Sequence, residues 1–210
     1  MAKVKPEYRK MNTENSRLGI ILLTDNMAIA NPEDIAHYLG NGDTKPVFSE
    51  FFTAQLTECA EQDGNFAEVA VASVHDTSGF IILQEQLSRE NQVRLRVPAH
   101  KAFPDDSAHY LLILDNIEVS REKNPGKTVV VGGMYGIPTK RTIGELDILK
   151  IKGTFALWDN VAGKTAAFGL INVKSDVLPA MTQNSWIDII QRISTEIFIN
   201  QPYGMQSSAP

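Results

Sequence analysis

Apolar residues fall along the chain in two alternating rhythms. Arg17-Leu-Gly-Ile-Ile-Leu-Leu-Thr24 is apolar at nearly every position, the pattern of a central strand covered on both faces. Val47, Phe48, Phe51, Phe52, Leu56, Cys59 and Ala60 recur in steps of three and four. They predict one buried helix face, with Asp43 or Thr44 as the cap and Gly64 as the stop. Phe66 to Val74 reads as a second buried strand, and Phe80 to Leu87 fits either an edge strand or a short helix. Val93-Arg-Leu-Arg-Val97 alternates strictly and predicts a strand with one wet face.

His109 to Val119 is the next apolar strand. Its pattern sets Tyr110, Leu112 and Leu114 on one side and Leu111, Ile113 and Ile117 on the other. Residues 121 to 142 hold four glycines and two prolines and read as a long irregular loop. A hairpin follows. Leu149, Ile151, Gly153, Phe155 and Leu157 share one face, opposite Lys150, Lys152, Thr154 and Trp158. The connection Asp159-Asn-Val-Ala-Gly163 ends in a glycine suited to positive φ, and Lys164 to Lys174 returns. Trp186, Ile189, Ile190, Ile193 and Ile197 then mark a terminal helix, with Ser185 and Asp188 resembling a capping box.

The order predicts a single α/β layered domain: a mostly antiparallel mixed sheet packed by two amphipathic helices. Its expected bounds are 17–201, between a flexible basic leader (1–16) and a disordered tail (202–210). The 210 residues, 43% of them hydrophobic, suffice for one sizeable core. No apolar run approaches the roughly 20 residues of a membrane helix.

Charge and reactive residues narrow the function. A net charge of −5 and a pI near 5.4 argue against a general nucleic-acid binder. The basic cluster Lys3, Lys5, Arg9 and Lys10 sits in the leader. The single Cys59 permits no intrachain disulfide and lies in a helical stripe, the setting of a buried structural thiol. Gly126-Lys-Thr128 and Gly163-Lys-Thr165 lack the earlier glycine of a phosphate loop and read as turns. Gly132-Gly-Met-Tyr-Gly136 lacks the strand-to-helix setting of a dinucleotide fingerprint. His100, Asp105, Asp106 and His109 match no zinc spacing, and no Gly-x-Ser-x-Gly elbow is present. The expectation is a protein that is not an enzyme and holds no cofactor or metal. Met134, Tyr135, Trp158, Asp159 and Lys164 are the candidate partner-binding residues, on the 121–142 loop and the hairpin tip.

The stretch Gly153-Thr-Phe-Ala-Leu-Trp-Asp-Asn-Val-Ala-Gly-Lys164, an apolar return strand and a terminal Trp-bearing helix resemble the α/β domain of periplasmic lipoproteins. Curli-secretion and Pel-secretion lipoproteins and the amino-terminal domain of the Tol–Pal translocation protein carry this domain. The resemblance implies a non-catalytic envelope protein, anchored by a lipidated cysteine and working by contact with envelope proteins or with itself. Here Met1 leads into Ala-Lys-Val-Lys-Pro with neither an apolar signal region nor that cysteine. Either Met1 stands where a native signal and lipidated cysteine were, or the protein is cytoplasmic. The cytoplasmic alternative is a small-molecule binder or enzyme with a pocket near Asp25, Asn26 and the 25–43 loop.

Overall fold

The computed structural model describes residues 2–30, 32, 44–72, 77–100, 108–122, 127–132, 138–143, 147–177, 182–199 and 201–204, with 127–132 and 138–143 as backbone. The described residues form a mixed seven-stranded sheet packed by two helices, as the apolar pattern predicts. In chain order the elements are β1 (Ala2–Val4), β2 (Arg17–Leu22), β3 (Ala28–Ile29), α1 (Thr44–Asp63), β4 (Glu68–Val71), β5 (Phe80–Gln86), β6 (Gln92–Pro98), β7 (Tyr110–Glu122), β8 (Lys127–Gly132), β9 (Pro138–Ile143), β10 (Asp147–Asp159), β11 (Lys164–Val177) and α2 (Gln183–Phe198). The sheet runs β1-β11-β10-β7-β2-β4, with β3 also on β7. Strand β2 is parallel to β4 and β7, whereas β7, β10, β11 and β1 pair antiparallel.

The continuous apolar run of β2 is explained by layers on both of its faces. Leu18 and Ile20 join Leu112, Leu114, Phe155 and Leu157 beneath the helices. Phe48, Phe52, Leu56 and Ala60 of α1 and the Trp186-to-Ile197 stripe of α2 close that side. Ile21 and Leu23 face the other way, with Leu111, Ile113, Ala156, Trp158 and Phe168. There the β5–β6 hairpin lays Val93, Leu95 and Val97 over the sheet. Phe80 to Leu87 is therefore strand rather than helix.

One residue of β7 lies opposite to the side its alternation predicts. Ile117 packs under the helices with Leu112 and Leu114, not with Leu111 and Ile113. Asn116 takes a left-handed φ of 53°, and the β7–β10 register slips between Lys152 and Thr154. The extra residue is a β-bulge, which reverses the alternation beyond it. Gly153 faces the bulge because a Cβ there would stand 2.5 Å from Ile117 Cδ1.

The expected flexible leader is instead folded. Strand β1 pairs Ala2, Lys3 and Val4 with Gly169, Phe168 and Ala167. Thr13 is buried and donates from Oγ1 to the Asn65 carbonyl at 2.6 Å. Lys3 and Lys5 place ammonium groups 5.9 and 5.5 Å from the Phe168 ring centre, a cation–π attachment. The basic cluster thus docks two of its lysines on an aromatic ring.

The tail is also partly folded. Tyr203 is fully buried against Phe198, and Gly204 bridges to Gly64; residues 205–210 lie outside the described residues. The predicted long loop at 121–142 is mostly strand as well: β7 runs to Glu122, and β8 and β9 pair from Lys127↔Ile143 to Gly132↔Pro138. Helix α2 begins one turn earlier than Ser185 suggested. Thr182 is its N-cap, with Ser185 Oγ 3.4 Å from the Thr182 amide, while Asp188 accepts from Ser175 Oγ at 2.8 Å.

Candidate functional site

The hairpin tip is built by its own turn chemistry. Gly163 takes φ 66°, the left-handed conformation its sequence position predicts. Asp159 shapes the turn. Its carbonyl accepts the Gly163 amide at 2.8 Å, and its Oδ1 accepts the Ala162 amide at 2.7 Å. Its Oδ2 accepts the Tyr8 hydroxyl at 2.9 Å, which ties the N-terminal segment to the tip. Burial, and then the hydrogen bond to Asp159, push the Tyr8 phenol well above its usual pKa. Asn160 is buried and donates from Nδ2 to the Ala108 carbonyl at 3.1 Å.

Trp158 departs from expectation. As a partner-binding candidate on the lysine-bearing face it would have to be exposed, yet it is 5% exposed and packs in the core beneath the β5–β6 hairpin. The lysine-bearing face is wet around Lys152 and dry at Ala156 and Trp158, because the hairpin covers only the second stretch. Of the other candidates, Lys164 is exposed and Asp159 is engaged by the turn and Tyr8. Met134 and Tyr135 lie outside the described residues.

A cavity of about 370 Å³ opens beside Trp158, where the N-terminal segment, the β5–β6 hairpin and the tip meet. Ile81, Leu83, Pro98, Ala99 and the Trp158 ring give it apolar walls. Lys5, Glu7, Glu85, Gly163, Lys164 and Thr165 supply the polar part. Lys5 Nζ holds both Glu85 oxygens, at 2.7 and 2.6 Å, across the seam between N-terminal segment and hairpin. No single motif announces this site. Of its residues Trp158 and Lys164 are the sequence's partner-binding candidates, while Lys5, Gly163 and Thr165 stand out there only as part of a basic cluster and a turn.

The alternative pocket resolves differently. Residues 31 and 33–43 lie outside the described residues, but Asp25 and Asn26 are placed. Arg96 of β6 bridges Asp25 and the buried Asp115, with Nε 3.2 Å from Asp115 Oδ2. Asn26 and Asn116 donate to the same Asp115 carboxylate at 3.4 and 3.1 Å. The arrangement pins hairpin to sheet.

Among the described residues no three His, Cys, Asp or Glu side chains are placed to hold a metal. Their helices include none long and apolar enough to cross a membrane. Cys59 is half-buried against the helix-side core, and burial, with Asp63 and Glu58 behind it, pushes its thiol up to about 11. A thiol so protonated is a poor nucleophile. Of the histidines, His37 and His75 lie outside the described residues, as do Asp105 and Asp106. His109 Nδ1 accepts the Arg17 amide at 3.1 Å.

No protein-family model matches the chain. No curated protein matches it either. Among solved structures it is similar to the PelC dodecamer of Paraburkholderia phytofirmans. One crystal form is 10% identical over 98% of this chain and 99% of that one, with a TM-score of 0.43. A point variant of the same dodecamer is 12% identical over 94% and 97%, with a TM-score of 0.42. A neuraminyllactose-binding hemagglutinin homolog from Helicobacter pylori is 12% identical over 90% and 83%, with a TM-score of 0.37.

Proposed function

We propose that this chain is a non-catalytic assembly module of the bacterial cell envelope, acting by protein–protein contact and first by contact with further copies of itself. The observation that supports this reading is the surface beside the hairpin tip. Val161 in the turn is 71% exposed and Ile82 on β5 is 65% exposed, the two most exposed large aliphatic side chains among the described residues. Ile82 alternates with the cavity-lining Ile81 and Leu83 and so faces away from the sheet, and Val161 lies in the turn two positions before Gly163. Asp159 and Tyr8 hold the tip rigid beneath Val161, so a partner meets a surface already ordered. The envelope location rests on the resemblance of the Leu-Trp-Asp hairpin and terminal helix to periplasmic lipoproteins.

Light scattering on the purified chain, together with fractionation of cells expressing the native gene, tests both parts. The expected result is a mass that is a multiple of the 23.2 kDa protomer. Ile82→Glu with Val161→Glu should reduce it to one protomer without changing the circular dichroism, and the gene product should be found in the envelope fraction. A protomer-sized species at all concentrations, or a product confined to the cytoplasm, overturns the reading.

A further inference from the structure

We propose that the free edge of β4 takes an extended segment of another protein as an added strand, uncharged at its centre and basic at its flanks. Strand β4 is the last of the sheet and pairs only with β2. The Ala72 amide donates to the Ile20 carbonyl at 2.8 Å, which turns the even-numbered residues toward β2. Backbone groups alternate sides along a strand, so Val69 and Val71 turn amide and carbonyl outward. Among the described residues nothing pairs with those groups. Donors and acceptors at strand spacing are met by another extended backbone, the mode of β-strand addition.

The opposite edge of the sheet is blunted. Strand β1 has three residues, Lys3 among them, and runs into Lys5 and Pro6. Past β1, Glu196 Oε2 stands 3.5 Å from the Asn172 amide, and Arg192 donates to the Lys174 carbonyl at 3.2 Å. Side chains of α2 thus cover the next stretch of β11. Strand β4 has none of these devices. Ala67-Glu-Val-Ala-Val-Ala72 holds no lysine or proline, its register with β2 is unbroken, and Val71 is 50% exposed. Val69 packs under the helices, and Val71, two positions on, carries the same apolar face to the open edge. Apolar or β-branched residues of an added strand would pair with both.

Charge selects the source of that strand. Helix α1, which packs on β4, exposes Glu50, Glu58 and Glu61 and carries one basic residue, Lys45. Glu68 at the start of β4 is already paired with Arg17 at 2.9 Å. A second copy added antiparallel would set one acidic helix beside another, and each copy has a net charge of −5. A basic-flanked segment of another protein meets the same carboxylates with opposite charge. The contact shares no residue with Ile82 and Val161 and is independent of the self-association proposed above.

Amide hydrogen exchange on the ¹⁵N-labelled full chain reads the edge directly. In the free chain Val69 and Val71 should exchange about tenfold faster than Ala70 and Ala72, whose amides face β2. The probe is the peptide acetyl-Lys-Thr-Val-Thr-Val-Thr-Lys-amide. It should shift the Val69 and Val71 amide signals saturably and slow their exchange about tenfold. A form with Glu in place of both Lys should bind about tenfold more weakly at low salt. A form N-methylated through its Thr and Val residues keeps the side chains, loses the backbone donors and should not bind. Val71→Pro removes an outward amide, keeps the bonds to β2 and should abolish binding. Val71→Lys keeps the backbone and should weaken the basic peptide about tenfold, so the proposal stays testable if Val71→Pro does not fold. Val69 and Val71 amides that are protected in the free chain, unmoved by the peptide, or moved equally by the N-methylated form overturn the proposal. Protection that grows with protein concentration also overturns it, by giving the edge to a second copy. The Ile82→Glu, Val161→Glu chain should bind the peptide as the native chain does, so either proposal can fail alone.

Discussion

The two faces of the sheet bury the same kinds of residue and close to different degrees. On the helix face, Trp186 meets Phe48, Phe52 and the isoleucine stripe of α2, and the packing is continuous from Leu18 to Val177. On the hairpin face, Trp158 lies under β5 and β6 with a cavity at its side. Widths explain the difference. Two helices at about 10 Å each cover roughly four strands at about 4.8 Å spacing. A two-stranded hairpin covers about half of that. The N-terminal segment fills part of the remainder through Lys3, Lys5 and Tyr8, and the unfilled part is the cavity. A sheet can thus close one face completely and leave a corner of the other open.

Large truncations on the two faces should separate most clearly. Trp186→Ala should cost about 4 kcal/mol, because it leaves a void the helices cannot close. Trp158→Ala should cost about 2 kcal/mol, since the space it leaves joins an existing opening that water can enter. Equal shifts in urea unfolding midpoint would break the comparison.

Next in size is the ion network that holds the hairpin down. Arg96→Met strands the buried Asp115 carboxylate, and a loss of about 3 kcal/mol is expected. Adding Asp115→Asn should restore part of it, as a double-mutant cycle in denaturant would show. Additive losses would mean the pair does not hold the hairpin. At the tip, Gly163→Ala forces an L side chain to φ 66° and should cost about 1 kcal/mol, read from the thermal midpoint.

The smallest effect sharpens the helix side. The Tyr203 hydroxyl is buried and unpaired, and burial raises its pKa above that of a free tyrosine. Tyr8 is raised in the same direction, by burial and then by Asp159. A folded-state pKa above the unfolded value gives stability that is complete below pH about 10 and lost as pH rises further. Tyr203→Phe removes the unpaired group, so it should gain about 1 kcal/mol at neutral pH and flatten the alkaline decline. Unfolding curves at neutral and alkaline pH check both, and an unchanged alkaline limb would shift the cause to Tyr8 or elsewhere.

Much of the fold was legible because periodicity reports burial directly. The α1 and α2 stripes, the two-faced β2 run and the left-handed Gly163 turn are local signals that the structure satisfies. The misreadings have separate causes. Ile117 follows a bulge at Asn116 that alternation cannot register. Lys127-Thr-Val-Val-Val131 carried a β-branched strand signal, which the surrounding glycines and prolines masked. Ala2 to Val4 is too short to show any period, and its strand exists because β11 offers an open edge.

Phe66 to Val74 reads as a buried strand and is instead the edge strand β4, with Val71 50% exposed. What the sequence determined by itself was that β2 is covered on both faces and α1 and α2 on one. That follows from spacing along the backbone, since a side chain's direction repeats every two residues in a strand and every 3.6 in a helix. Which element covers which stretch was decided only in three dimensions. Trp158 and Lys152 share a strand, and one is dry and the other wet because β5 and β6 reach the first and stop short of the second. The candidate site belongs to that second kind of fact. Its walls come from residues 5 to 7, 81 to 99 and 158 to 165, which tertiary packing alone brings together.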